Sequence, residues 1–500
     1  MEKLNRAYAL EHNLIPAGDA YPVRVLQFGE GNFLRAFIDW FIDVMNEKTT
    51  FGGNVLFVQP TPHGTVARQA EQDFLWTLLL RGIQNGTTYD ERRIISCVKG
   101  AIDPYSNWAG FLESARNPTI RFIFSNTTEA GIVYVPTENP GSAGPAPLSF
   151  PAKLVFWLYE RYKHFAGAAD CGCVIIPCEL IESNGRHLKK AVQKHAADWN
   201  LDAAFRAWLD SACVFINTLV DRVVSGYPKE EASAICARLG YDDALLDVGE
   251  YFHLFVLEAD KKYASELPFD KAGINAIWTN DVKPYRERKV RILNGAHTSV
   301  SLIGYLAGKE TVREYTRDPA LGAFLRRCVY DELAPTVPLP PAECKAFADA
   351  VIERFTNPFV RHQCLSIALN SVSKYKVRVL PSLIELTAKA GAPPPGLTFA
   401  LAALVVFYRV RAVKDGSYFG RTADGREYAI PDAAPVLAQF EEYWRNNGAP
   451  GNEPALARAV LANTAFWGED LNALPGLTAG LAAGLASIAQ NGIGGALERL

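Results

Sequence analysis

Apolar residues change their rhythm along this chain. The run VRVLQF (Val23–Phe28) is short, continuous and followed by glycines, which reads as a strand buried on both faces. FLRAFIDWFIDVMNE follows with apolar residues at helical spacing. NVLFVQP (54–60), RFIFSNTTEAG (121–131) and CVIIPCEL (173–180) repeat the strand signature. Strands alternating with helical segments predict an α/β domain, a Rossmann-like parallel sheet with helices on both faces. After about Pro284 strand signals mostly disappear, and stretches rich in Ala, Leu and Arg take over. The expected division is a parallel-sheet N-terminal domain over 1–284 and a mainly α-helical C-terminal domain over 285–500. Pro- and Gly-rich loops are expected at 138–151, 336–343 and 391–396.

Two apolar stretches raise the question of a membrane. LTFALAALVVFY (397–408) is too short to span one and reads as a buried helix. The segment 471–497 carries no charge and is long enough. It contains Pro475 and many glycines, and Leu477, Leu481, Leu485 and Ile488 recur at helical spacing. One stripe of it therefore packs on a core, and no membrane span is expected. At 500 residues, 49% hydrophobic and 21% charged, the chain is a folded protein of two domains. A formal net charge of -3 lacks the basic footprint of a nucleic-acid binder. The nine cysteines include Cys171, Cys173 and Cys178 at a spacing unlike a zinc finger. Reduced thiols, no metal and a cytoplasmic location are expected, since the N-terminus shows no secretory h-region.

Candidate chemistry begins where the first strand ends. Phe28-Gly29-Glu30-Gly31-Asn32-Phe33 occupies a strand-to-helix turn. Glycine there leaves room for a pyrophosphate at the helix N-terminus, although a tight turn alone would also select it. The third glycine of the usual fingerprint is replaced by Leu34. The second strand ends in Gln59 rather than the acid that bonds an adenosine ribose, and Arg68 lies nearby. Gln59 can still bond a ribose hydroxyl, so NAD is expected over NADP. In SNTTEAG, Thr127 and Glu129 suit contact with a nicotinamide ribose, or equally an ordinary helix cap.

The sharpest pattern is Lys289-Val-Arg-Ile-Leu-Asn294-Gly-Ala-His297. On an α-helix stepping about 100° per residue, the three polar residues share one broad face. Oxidising an alcohol needs a base for the hydroxyl proton, and an amide can donate to the developing oxyanion. A surface lysine with two capped polar groups would leave the same trace.

KVRILNGAHT resembles the KxxxxNxxH signature of the polyol-specific long-chain dehydrogenases, the mannitol dehydrogenase family. The likeness extends through FGEGNFLRA, SNTTEAG, PCELIESNG, VFINTLVDRV, KPYRERK and RFTNP in the family's order. It implies a Rossmann-like domain, a helical domain and zinc-independent hydride transfer between a nicotinamide and a secondary alcohol. It also implies Lys289 as general base, Asn294 and Asn184 as oxyanion donors, His297 as a substrate ligand and Asp221 as a substrate contact or support. The chain departs from the family at Cys178-Glu179-Leu180, where CDN is frequent, and at Arg286, where Glu is frequent. An extra cation suits an anionic sugar acid, whose carboxylate needs a positive partner. Arg286, Arg361, His362 and Lys374 are the candidates, with Arg361 and Lys374 favoured by the resemblance of their segment to one that faces the family's cleft. The expected partner is a small keto-uronate. Alternatives are another sugar acid or polyol of the family (fructuronate, mannitol), an epimerase cycling bound NAD, and a nucleotide-binding protein without catalysis.

Overall fold

The short apolar runs become strands because β-branched and aromatic residues fill both sides of a pleat. The computed structural model describes residues 1–16 and 21–500, in two units: 1–82 with 88–282, and 83–87 with 283–500. In chain order the strands up to residue 282 are β1 (Val23–Phe28), β2 (Asn54–Val58), β3 (Trp76–Gln84), β4 (Thr87–Ile95), β5 (Val98–Ile102), β6 (Phe122–Ser125) and β7 (Val174–Pro177). After them come β8 (Val214–Phe215), β9 (Asn217–Asp221), β10 (Val224–Gly226), β11 (Asp247–Glu250), β12 (Leu254–Glu258) and β13 (Ala276–Thr279).

Six of these form a parallel sheet in the order β5-β2-β1-β6-β7-β8. Counted among themselves they run 3-2-1-4-5-6, the Rossmann order, and the direction of winding reverses between β1 and β6. Phe28 pairs with Val58 on one side and Ser125 on the other, so three strand ends finish level at that point. One face of the sheet buries Val25, Phe57, Phe124 and Ile176 with Phe37 and Phe41. The other buries Leu26, Phe28, Ile123 and Ile175 with Phe111 and Trp157. Burial on both faces is why these strands read as continuous apolar runs.

Two further sheets, β10-β11-β3-β4 and β13-β12-β9, have no counterpart in the expected pattern. β4 (TTYDERRII) is mostly exposed and charged, so its sequence resembles a loop. The turn at Asn85 (φ 52°) and Gly86 (φ 74°) is nevertheless the Asn-Gly signal of a two-residue hairpin. The segment after the first glycines also divides, into helices Asn32–Arg35 and Ile38–Lys48, because Phe37 (φ -125°, ψ -78°) leaves the helical region.

The second unit is built of helices around Gly295–Leu306, in which every residue except His297 is buried. Against it lies Pro395–Phe407, the expected buried helix. Leu477–Leu497 packs on that helix and buries Leu477, Leu481, Leu485 and Ile488. A small antiparallel sheet of β14 (Ala412–Lys414), β15 (Ser417–Arg421) and β16 (Glu427–Ala429) interrupts the helical pattern, turning at Asp415 (φ 48°) and Gly416 (φ 74°). Among the described residues no helix is long and apolar enough to cross a membrane.

Candidate active site

The glycines after β1 do different work. Gly29 has φ +120°, and a Cβ there would lie 2.9 Å from the Asn126 carbonyl oxygen at the end of β6. It lets two strand ends close at the switch point. Gly31 has an ordinary φ of -76° and caps the helix Asn32–Arg35, and a Cβ there would meet nothing within 4 Å. Its missing side chain leaves open space in front of a helix N-terminus, the place a pyrophosphate takes in this fold. Asn32 is exposed and its amide lies over Gly226, while Phe33 stacks on Phe37.

Other expected cofactor contacts fare differently. The Phe28 ring is in the core against Phe111 and Phe150, so only its backbone can reach a ligand; its carbonyl accepts from the Asn126 N–H at 3.1 Å. Gln59 is buried, and Gly64 closes over it so tightly that a Cβ at 64 would lie 2.2 Å from its Cγ. Arg68 donates to the Ala244 carbonyl. Thr127 is half-buried, and its N–H and hydroxyl both donate to Glu179. Thr128 holds φ +78°, a strained position for a β-branched residue. The side chain of Glu129 lies outside the described residues. Burial raises the pKa of the Glu30 and Glu179 carboxyls, against the hydrogen bonds from Thr65, Ser125 and Thr127.

Asn184 does not stand free as an oxyanion donor. It is fully buried, and its amide nitrogen already donates to Pro177 O (3.0 Å), Glu179 O (3.1 Å) and Thr218 Oγ1 (2.9 Å). Its oxygen accepts from the N–H groups of Gly185 and Thr218. An amide has two hydrogens and these acceptors engage both, so this residue ties the end of β7 to β9. Asp221 is likewise buried, at the end of β9 opposite Leu254.

In the second unit, residues 289–294 form a π-turn between the helices Lys283–Arg288 and Gly295–Leu306. The Gly295 N–H reaches Val290 O, five residues back. Such turns concentrate at functional sites. The wider coil brings Asn294 round towards the line of Lys289, closer than the even helical step allows. Lys289 and Asn294 are half-buried, and the Asn294 carbonyl accepts from the Thr298 hydroxyl. Arg286, half-buried, sits one turn before Lys289.

His297 is the polar focus of this unit. Its ring stacks on Phe355 with centroids 4.1 Å apart, meets His362 edge-on at 5.0 Å, and has Nδ1 3.5 Å from the Tyr315 hydroxyl. Desolvation, then the nearby basic groups His362, Arg354, Arg378 and Lys374, drive its pKa well below the ordinary range, so the ring is neutral; burial and Lys374 lower His362 in the same direction. Lys374 donates to Ile367 O and belongs to this cluster. Arg361 does not: its side chain is 76% exposed, with its guanidinium 3.8 Å from Glu310 at the surface. Its exposure sets it apart from the more deeply buried basic groups around His297. Arg378, Arg354, Tyr315 and Phe355 escaped the sequence reading. Arg378 had left a trace, since KYKVR places it four residues from Lys374 on one helix face without an intervening acid.

Comparison with known proteins places the chain by family and fold. The family model of the mannitol dehydrogenase Rossmann domain matches residues 23–271, and that of the mannitol dehydrogenase C-terminal domain matches 281–489. The altronate oxidoreductase of Klebsiella pneumoniae (strain 342) is 45% identical over 97% of this chain and 98% of its own length. That of Yersinia enterocolitica is 43% identical over 95% and 96%. Among solved structures, D-sorbitol dehydrogenase in substrate-free form matches with a TM-score of 0.80 at 22% identity, covering 99% of this chain and 100% of that one. Pseudomonas fluorescens mannitol 2-dehydrogenase, in a ternary complex with NAD and D-mannitol, matches with 0.68 at 22% identity, covering 99% of each.

Proposed function

We propose that this chain, an oxidoreductase that acts on a CH–OH group and belongs to the mannitol dehydrogenase family, interconverts D-tagaturonate and D-altronate with NAD. The observation that carries the substrate reading is the cationic surrounding of His297, which a neutral polyol would not need. Near-full-length relatives called altronate oxidoreductase support the same choice. The open space at Gly31 fits a dinucleotide, with the backbone from Gly29 to Phe33 facing the pyrophosphate and the 127–129 segment at the nicotinamide ribose.

Bound NADH would supply the hydride to the substrate carbon in reduction, and NAD would accept it in oxidation. In the reductive direction the Asn294 amide donates to the carbonyl oxygen and steadies it as charge develops. Lys289 gives its proton to that oxygen, and in the oxidative direction takes the proton back from the hydroxyl. The Tyr315 hydroxyl lies 3.5 Å from Nδ1 of neutral His297; in the tautomer where Nδ1 accepts from the phenol, Nε2 carries the proton and can donate to a substrate hydroxyl. Phe355 behind the ring keeps water from that side.

The test is the consumption of NADH and, separately, NADPH by purified protein with tagaturonate, fructuronate and fructose. NADH oxidation with tagaturonate at the highest kcat/KM is the expected outcome. A faster rate on either other substrate overturns the substrate reading, and turnover of a uronate without net change in NADH points to an epimerase.

A further inference from the structure

Arg378 stands out among the cations of the second unit. Its guanidinium is half-buried, and burial alone lowers its pKa from the usual arginine value. Its side-chain hydrogen bond runs from Nη1 to the Thr298 hydroxyl at 3.4 Å, a long contact. Among the described residues no carboxylate lies within ion-pair distance of it. A partly desolvated guanidinium has five donors, and one weak neutral acceptor leaves most of them able to meet an anion.

Its placement adds to this. Arg378 lies on the helix Ser371–Arg378, four residues after Lys374, so two like charges share a face. Such pairs destabilise a helix unless something compensates. Each depresses a neighbour in turn: Lys374 is lowered by burial first and by Arg378 second, and His297 feels both. The end of this helix presses on the catalytic turn itself, since a Cβ on Gly295 would lie 3.2 Å from the Arg378 carbonyl oxygen. Thr298, which receives its Nη1, is one residue beyond His297 and bonded to Asn294. The guanidinium thus borders the residues given proton-handling and substrate-binding roles.

We infer that Arg378, with Lys374 beside it, is the clamp for the substrate's carboxylate. A planar fork matches the two oxygens of a carboxylate, and Lys374 adds a point charge beside it. The inference rests on the keto-uronate reading above, and it makes Arg378 a determinant of acid over polyol.

The experiment measures binding of D-altronate and of its neutral counterpart, D-altritol, to the NADH-loaded protein, in the wild type and in Arg378→Met. Removing one partner of a desolvated charge pair should weaken altronate by at least about 30-fold, with altritol changed little and NADH affinity unaltered. Equal weakening of both ligands, or unchanged altronate affinity, overturns the clamp. If Arg378→Met does not fold, Arg378→Lys carries the test: it keeps the charge, loses the fork, and must weaken altronate selectively. Wild-type protein that binds altronate through Arg378 yet reduces no keto-uronate would sink the proposed reaction and leave the clamp standing.

Discussion

Two glycines two residues apart should respond in opposite ways to substitution. Gly31→Val adds bulk to open space at a relaxed φ, so the fold should persist while NADH binding is lost. Gly29→Ala places a Cβ 2.9 Å from a carbonyl at φ +120°, so the first unit should lose stability even without ligand. Thermal melting and NADH fluorescence titration separate these, and unchanged NADH affinity in Gly31→Val would refute the phosphate-turn assignment. Lys289→Ala should lower kcat by about 10²–10⁴-fold and leave NADH affinity nearly intact, as removal of a general acid/base does. A variant retaining more than roughly a third of the rate places the base elsewhere. Asn184→Ala should melt earlier, because its buried partners lose their hydrogen bonds, each unsatisfied group costing about 1–3 kcal/mol.

At the level of elements, the π-turn and its neighbouring helix make a single device. The close approach of the Arg378 carbonyl and the Leu333 methyls, at 3.2 and 3.3 Å from a Cβ on residue 295, explains the glycine between Asn294 and His297. Gly295→Ala should push the helix Ser371–Arg378 away, lowering kcat/KM on tagaturonate while costing about 1–3 kcal/mol of stability, as overpacking does. A variant with wild-type kcat/KM would show that this contact does not tune the site. The polar triple 289/294/297 was legible because its residue types and spacing are local. The π-turn that aligns it was not, since residues 289–294 carry nothing to distinguish six helical positions from a widened coil; packing decides. Six parallel strands were partly legible from two-sided apolar runs. β4 was hidden by its charges, and β14–β16 by brevity, although Asn85-Gly86 and Asp415-Gly416 marked both hairpins. Nothing in one dimension ranks Arg378 above Arg361, and only the fold puts one at the surface beside Glu310 and the other against the Thr298 hydroxyl.

At the scale of the whole molecule, burial displaces a set of acids in one direction. Burial raises Glu30, Asp39, Glu179, Asp243, Asp247 and Glu332. Asp247, 3.3 Å from Arg35, goes from 3.8 to about 7, with desolvation outweighing the arginine. A carboxyl with a raised folded pKa binds its proton more tightly in the fold, so its stabilisation is full below the unfolded pKa and fades as pH climbs to the folded one. Between pH about 4 and about 7 the wild type should therefore lose melting temperature relative to Asp247→Asn. A difference between the two that stays constant over that range contradicts the raised pKa. The chain's connectivity bears on how the molecule could be divided. Because residues 83–87 belong with 283–500, the backbone passes from one unit to the other at 82/83, 87/88 and 282/283. A gene split at 282/283 would not yield two self-sufficient halves. The fragment 283–500 would leave the Glu353 carboxylate without the Asn85 and Gly86 N–H groups that meet it at 2.8 and 2.5 Å. Split-protein complementation at that seam would depend on a five-residue loop donated by the other fragment, an unintended latch for reassembly.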